Sequence, residues 1–164
     1  MIEWAQVSVD ASLFLRISAE PAGIRSIEFD SLRPPEGEEN ESNVLVREAA
    51  VQLRAYFEGR LRQFDLPLVY AGTDFQKRVW GYLETIPFGE TRSYMQVAAA
   101  LGVPKAVRAV GAANGANPIP IVVPCHRVIG VSGKLVGYGG GLPLKQRLLD
   151  LEGATSTKLS FHSE

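Results

Sequence analysis

The sequence predicts an α/β (α+β) fold built as two successive modules, on three observations. Leu13, Leu15 and Ile17 alternate with other residues at the period of a strand, and a second apolar run follows them across a turn. From Val46 onward the apolar spacing becomes helical. Beyond a segment carrying Pro67 and Gly72, the chain reads as short, capped helices, two of them joined by a tight turn.

In the first module, Glu20-Pro21-Ala22-Gly23 supplies a turn after the first run, and Ile24, Ile27 and Phe29 form the second, so a β-hairpin opens the protein. Residues 31–43 hold Pro34, Pro35 and Gly37 among Glu36, Glu38, Glu39 and Glu41. With so little to bury, they are expected to form an exposed, mobile loop. Val46, Ala49, Ala50, Leu53, Tyr56 and Phe57 then share a helical face that Gly59 ends. Residues 64–72 read as a linker. The expected organisation is an N-terminal module over 1–70, a second over 71–153, and a flexible tail over 154–164.

The second module opens with Thr73 and Gln76 at capping-box spacing, where hydroxyl and amide satisfy amides a helix start leaves unpaired. Phe75, Val79 and Leu83 line the helix that follows, until Pro87. Ser93 and Gln96 repeat the signature and open a helix with Val97 and Leu101, stopped at Gly102. Pro104, a favoured first helical residue, begins the next, which runs to about Asn114. This is the shape of a helix-turn-helix, although αα-corners that touch no DNA share it. Ala106, Ala109, Gly111, Ala112 and Ala113 leave one side of the second helix nearly bare, while Lys105 and Arg108 project from its beginning. Such a face serves either tight internal packing or close approach to a nucleic-acid groove.

Composition narrows the function classes. The 164 residues are 46% apolar, as in a globular protein with a real core. No run approaches the ~18 apolar residues of a membrane span, and Glu3 and Asp10 stand where a secretory signal would be basic and then apolar, so a cytoplasmic protein is expected. One cysteine excludes an intramolecular disulfide and a cysteine-rich zinc site. With His126 and His162 the only imidazoles, neither metal nor cofactor is called for. The net charge of −1 conceals an asymmetry: residues 1–70 carry 7 basic and 12 acidic side chains, residues 71–164 carry 10 and 6. The second half is the one suited to a polyanion.

The chemistry concentrates at the end of an apolar run. Ile121-Val122-Val123 reads as a buried strand stopped by Pro124, and Cys125-His126-Arg127 follows at once. A thiolate is the nucleophilic form of cysteine, and His126 is the natural base for it. Neighbours in a strand face opposite ways, so the pair cooperates only through a bend at Pro124 or a bridging water; the alternative is an inert buried cysteine. Downstream, Val131-Ser132-Gly133-Lys134 makes a hairpin-like turn and Gly137-Tyr138-Gly139-Gly140-Gly141 a loop whose amides can approach a ligand or merely flex. A final helix from Pro143 to Leu151 closes at Glu152-Gly153. A carboxylate there opposes the helix dipole, so Glu152 either orients an imidazole or is a solvated surface residue.

Taken together, Pro124-Cys125-His126-Arg127-Val128, Asn117-Pro118, Arg108-Ala109-Val110-Gly111, Ser93-Tyr94 and the Gly-Tyr-Gly-Gly-Gly loop strongly resemble the O6-methylguanine-DNA methyltransferases, the methylated-DNA–protein-cysteine methyltransferases. The resemblance runs without a gap from about Thr73 to Gly153. Upstream it is limited to layout and the Tyr56-Phe57-Glu58-Gly59 helix end. It implies an RNase H-like N-terminal module and a winged-helix-like C-terminal one. Implied too is a single-turnover repair protein, monomeric, whose partner is double-stranded DNA carrying O6-alkylguanine.

The resemblance also implies roles. Cys125 accepts the alkyl group, His126 is the base acting through a water, Glu152 holds the imidazole, and Asn117 fixes the site by hydrogen bonds. Tyr94 donates to guanine N3 as the base leaves. The carbonyls of Cys125 and Val128 read the guanine amine, and the pocket is completed by Tyr138, Gly139 and Gly140. Arg108 replaces the extruded nucleotide, with Lys105, Ala106, Ala109, Gly111 and Ser93 along the DNA. Gly139 follows Tyr138 where some relatives carry serine or alanine, and the zinc ligands of some relatives are missing. On this reading Cys125 is ionised in a pocket that admits a purine. The rivals are a thiol hydrolase using Cys125, His126 and Asn117, and a protein that binds alkylated bases without chemistry.

Overall fold

The computed structural model describes residues 1–29, 32–154 and 160–161, in two compact units, Met1–Ala71 and Gly72–Glu164. In the first unit, β1 (Glu3–Asp10), β2 (Leu13–Glu20) and β3 (Gly23–Glu28) form an antiparallel meander, and β4 (Glu38–Glu39) adds to β1 in parallel, in the order β3-β2-β1-β4. The hairpin expected from sequence is β2–β3. The sequence reading missed β1, although Ala5 and Val9 keep the same alternation and are buried. One face of the sheet, with Ala5, Leu15, Ile17, Ile24 and Ile27 buried, is covered by α1 (Val44–Phe57) through Val46, Ala49, Ala50, Leu53 and Tyr56. Asn43 caps α1, accepting from the Val46 amide at 3.0 Å, and Gly59 leaves the helix at φ +77°.

Two segments read as loose are tied down. The acidic loop is largely exposed, but at Glu38–Glu39 its backbone pairs with the free edge of β1, where unpaired amides and carbonyls recruit a strand. Asn40 and Asn43 donate to the Glu3 carboxylate at 3.0 and 2.8 Å, so this part of the loop is anchored rather than mobile. The expected linker runs beside β3: the Ile24 amide donates to Pro67 O and the Val69 amide to Ile24 O, both at 2.8 Å. Only glycine allows that approach at residue 23, where a Cβ would lie 2.6 Å from Pro67 O.

In the second unit, α2 (Asp74–Leu83) and α3 (Tyr94–Ala100) start at Thr73 and Ser93 with both expected capping boxes in place. The helix α4 (Val107–Gly115) begins three residues after Pro104, not at it, and its N-cap Ala106 makes no side-chain cap. Val103 to Ala106 instead form a turn closed by Ala106 N to Val103 O at 2.8 Å, which uses the segment that would have been a first helical turn. Trp80, fully buried, ties α2 to α4 by donating from Nε1 to Ala113 O at 2.8 Å. The short β5 (Arg92–Ser93) pairs in parallel with β6 (Val128–Ile129). The segment 131–134 is not a hairpin turn, because β7 (Lys134–Leu135) pairs with β8 (Ser160–Phe161) rather than with β6. Finally α5 (Leu142–Glu152) ends at Gly153, φ +71°. Of the tail at 154–164, residues 155–159 and 162–164 lie outside the described residues, Ala154 is buried, and Ser160–Phe161 are paired as β8. No helix among the described residues is long and apolar enough to cross a membrane.

Candidate active site and nucleic-acid interface

The run expected as a strand at 121–123 is a tight loop. Val123 N donates to Ile119 O at 2.9 Å, and Ile121 takes φ +75°, a strained conformation for a β-branched residue. Pro120 and Pro124 each lack the amide a ladder needs, which disfavours the strand. Asn117 braces the loop from inside, donating from Nδ2 to Val123 O at 2.8 Å and accepting the Ile119 amide at 3.0 Å. Cys125, His126 and Arg127 then form one turn of 3-10 helix, with Arg127 N bonded to Pro124 O at 3.0 Å. The bend asked of Pro124 by the sequence is supplied by this turn.

All three side chains of the turn are buried, with Cys125 and Arg127 each 6% exposed and His126 fully enclosed. The His126 Nε2 atom lies 2.8 Å from Glu152 Oε2. Glu152 also accepts from Arg127, Nε at 2.8 Å and Nη2 at 3.0 Å, and from the Gly89 amide at 3.3 Å. Arg127 completes its own bonding with Ile86 O at 2.6 Å and stands over the Phe88 ring at 5.8 Å. The last residue of α5 is therefore no surface glutamate, and its unfavourable place on the helix dipole is outweighed by two charge-assisted partners.

These contacts fix protonation. Burial alone would raise the Glu152 carboxyl, but hydrogen bonds from His126 and Arg127 hold it near 2. Burial lowers His126 below its usual value despite the Glu152 bond that opposes it, so the imidazole rests neutral. A carboxylate only accepts, so Nε2 carries the imidazole hydrogen and Nδ1 keeps a basic lone pair. That Nδ1 is buried and has no hydrogen-bond partner among the described residues. Burial also pushes the Cys125 thiol up, with Asn117 and the charge of Lys145 pulling the other way. The resting sulfur is consequently a thiol, not the ionised form expected from sequence, because desolvation outweighs the neighbouring donors.

Tyr94 begins α3 and sits in the same cluster. Burial and the nearby Cys125 push its phenol up to about 12, against a hydrogen bond with Asn114. It is therefore a hydrogen-bond donor at neutral pH, not a source of free protons. Asn114, which the sequence marks only as the approximate end of a helix, is buried and donates to Cys125 O at 3.4 Å. Lys145 was missed as well. It is fully buried and donates to Val128 O at 2.9 Å and Val136 O at 3.0 Å, so the Val128 carbonyl already has one partner. The signal existed: Lys145 shares the inward face of α5 with Leu148, Leu149 and Glu152. Tyr138 is half-buried, Gly139 exposed and Gly140 half-buried on the loop before α5, where Gly141 N closes a turn onto Tyr138 O at 2.9 Å.

Of the small residues expected on one bare side, Ala109 and Ala112 face outward and Ala106 and Gly111 are half-buried, whereas Ala113 is buried in the internal packing, with its carbonyl accepting from Trp80. Lys105, Arg108, Ala109, Ala112 and Ala116 are exposed at helical spacing, while Val110, Ala113 and Asn114 point in. Neither Lys105 nor Arg108 has an acidic partner among the described residues. Gly111 backs onto the Tyr94 ring, with 3.8 Å from an added Cβ to Cδ1. Ala106 is half-buried ahead of the helix, and Ser93 spends its oxygen on the cap, accepting from Gln96 N at 3.1 Å.

Comparison with known proteins agrees with this arrangement. The family model described as "6-O-methylguanine DNA methyltransferase, DNA binding domain" matches residues 74–154, and the "ribonuclease-like domain" of the same family matches residues 15–70. A curated relative from Mycolicibacterium paratuberculosis, named methylated-DNA--protein-cysteine methyltransferase, is 64% identical over 104 residues, 63% of this chain and 63% of the relative, so the match spans less than two thirds of that relative's length. One of the same name from Methanosarcina acetivorans is 57% identical over 114 residues, 70% of this chain and 73% of the relative. Among solved structures, Mycobacterium tuberculosis OGT in complex with DNA superposes with a TM-score of 0.82 at 42% identity, covering 96% of this chain and 97% of that one. With both halves matched in order, the mixed α/β chain, a ribonuclease-like unit followed by a DNA-binding one, belongs to the O6-methylguanine DNA methyltransferase family.

Proposed function

We propose that this protein reverses alkylation damage directly, taking an alkyl group from O6 of guanine in duplex DNA onto Cys125 and being spent by the reaction. The observation that carries the reading is the buried array of Cys125, a neutral His126 with a basic Nδ1, and Glu152 bound to Nε2 at 2.8 Å. Sulfur attacks the alkyl carbon, the carbon–O6 bond breaks, and its electron pair goes to guanine. The thiol proton passes through a water to His126 Nδ1, and Glu152 stabilises the imidazolium. Starting from thiol and imidazole, the site exposes its nucleophile only when a substrate is present. Tyr94 donates to guanine N3, where the departing base carries charge.

The duplex contacts belong to α4 and the turn that precedes it. Lys105 and Arg108 meet phosphate and groove, Ala109 and Ala112 allow close approach, and Arg108 fills the space of the extruded nucleotide. A relative solved with DNA supports that partner. The carbonyls of Cys125 and Val128, Tyr138 and the loop at Gly139-Gly140 receive the base, and Asn117 keeps the nucleophile loop in shape. The thioether has no carbonyl for water to attack, so one chain repairs one lesion, as a cytoplasmic monomer and without cofactor or metal. The test is the intact mass after mixing with a duplex bearing one O6-methylguanine: a gain of one methyl on Cys125 is expected, and none for Cys125→Ser. An unchanged wild-type mass rejects the reading.

A further inference from the structure

Asn114 carries a buried acceptor that the alkyl-transfer scheme leaves unused. The residue lies in the last turn of α4, 6% exposed, and donates from Nδ2 to Cys125 O at 3.4 Å. A carbonyl oxygen only accepts, so this bond turns the amide nitrogen toward the nucleophile turn and leaves Oδ1 as the free end. Oδ1 is buried and has no hydrogen-bond partner among the described residues. An acceptor left in that state is costly, and it marks a place where a donor arrives. Its neighbours say where it stands. Gly111, three residues earlier on the same face of α4, backs onto the Tyr94 ring, with 3.8 Å from an added Cβ to Cδ1. Asn114 therefore sits between the carbonyl of Cys125 and the phenol of Tyr94, and its hydrogen bond opposes the rise of that phenol.

We propose that Asn114 is a specificity-determining residue: its Oδ1 accepts a hydrogen bond from the 2-amino group of the alkylated guanine, so that the site selects purines bearing that amine. The chemistry of the lesion narrows the donor. Alkylation at O6 removes the hydrogen from N1, and N9 holds the sugar, so the amine is the only N–H donor left on the base. In guanine the amine and N3 share C2, and the alkyl-transfer reading already sets Tyr94 as donor to N3 and the Cys125 carbonyl at the amine. An acceptor between those two groups lies at the C2 edge of the base. The main-chain carbonyls are partly occupied, Cys125 O by Asn114 and Val128 O by Lys145 at 2.9 Å. The amine has two hydrogens, so one goes to Oδ1 and the other to a carbonyl. A purine without the amine would seal Oδ1 in the closed site with nothing to accept.

The inference rests on the alkyl-transfer reading, and its test compares two duplexes, one carrying O6-methylguanine and one carrying O6-methylhypoxanthine, which lacks only the amine. In single-turnover measurements wild type should take methyl from the guanine lesion about tenfold faster or more. In Asn114→Ala and Asn114→Leu that ratio should shrink severalfold, toward equal rates. Loss of the Nδ2 bond to Cys125 O slows both lesions alike and cancels in the ratio. A merely structural role for Asn114 therefore lowers both rates and leaves the ratio at its wild-type value, and that result overturns the inference. Equal rates on the two lesions in wild type overturn it without any variant, so a variant that fails to fold does not remove the test. If wild type transfers no methyl from either duplex, the repair reading fails. The Kd values of Cys125→Ser for the two duplexes, with and without Asn114→Ala, then decide recognition of the amine, and equal values overturn the inference.

Discussion

His126 and Glu152 meet across 2.8 Å in a site where neither side chain is open to solvent, and Arg127 donates to both oxygens of the same carboxylate. The resulting imidazole is neutral, oriented, and presents its basic nitrogen away from the carboxylate. Loss of the carboxylate removes the orientation and strands a buried guanidinium.

Glu152→Gln therefore carries two penalties. Methyl transfer should slow by about tenfold to a hundredfold, since the imidazolium loses its stabilising charge. Stability should drop by about 3 kcal/mol, the usual cost of leaving one member of a buried pair alone. Single-turnover rates and denaturant midpoints measured together check both. A variant as stable as wild type would place the charge pair closer to water than the structure does.

Acid should destabilise the protein in two steps. His126 is depressed below its ordinary 6.5, so the unfolded chain binds that proton first and stability falls as pH drops below about 6.5. Glu152, ordinarily 4.5 and here about 2, contributes stability above 4.5 that is lost as pH falls through that window. The second step is worth about 3 kcal/mol and should vanish in Glu152→Gln. Unfolding midpoints against pH give the answer, and parallel curves for the two proteins would contradict it.

Arg108→Ala should separate extrusion from chemistry. The side chain is exposed. Transfer from duplex DNA should fall by about tenfold, a fraction of the few kcal/mol needed to unstack a base, with transfer from free O6-methylguanine base unchanged. Equal slowing on both substrates would remove Arg108 from extrusion.

Gly111 tests the packing behind the phenol. A Cβ there only touches the Tyr94 ring, at 3.8 Å, so Gly111→Ala should be near neutral. Gly111→Leu must push into the ring, and should slow transfer several-fold or more without a matching loss of phosphate affinity. Near-wild-type transfer by the leucine variant would mean that Tyr94 tolerates displacement.

What was legible in the sequence was local. Both capping boxes, the hairpin at Gly23 and the exit of α5 at Gly153 follow from short-range chemistry and are present. So is a contact between Glu152 and an imidazole, one of the two readings open for a carboxylate placed against the helix dipole. The failures were tertiary. Residues 121–123 have strand composition, but two prolines and the Asn117 side chain turn them into a loop. Residues 38–39 and 67–69 look loose because their partners, the edges of β1 and β3, are far away in sequence. Desolvation of Cys125 cannot be read from its neighbours in the chain, and that is why the thiol was expected as a thiolate.

In the proposed function the alkyl group ends on Cys125 and stays there. With the lesion duplex in large excess, guanine product counted against protein should stop at one equivalent per chain, and the spent chains should carry the methyl on the Cys125 peptide. Continued release of guanine beyond one equivalent would make the protein a turning-over hydrolase and contradict the account.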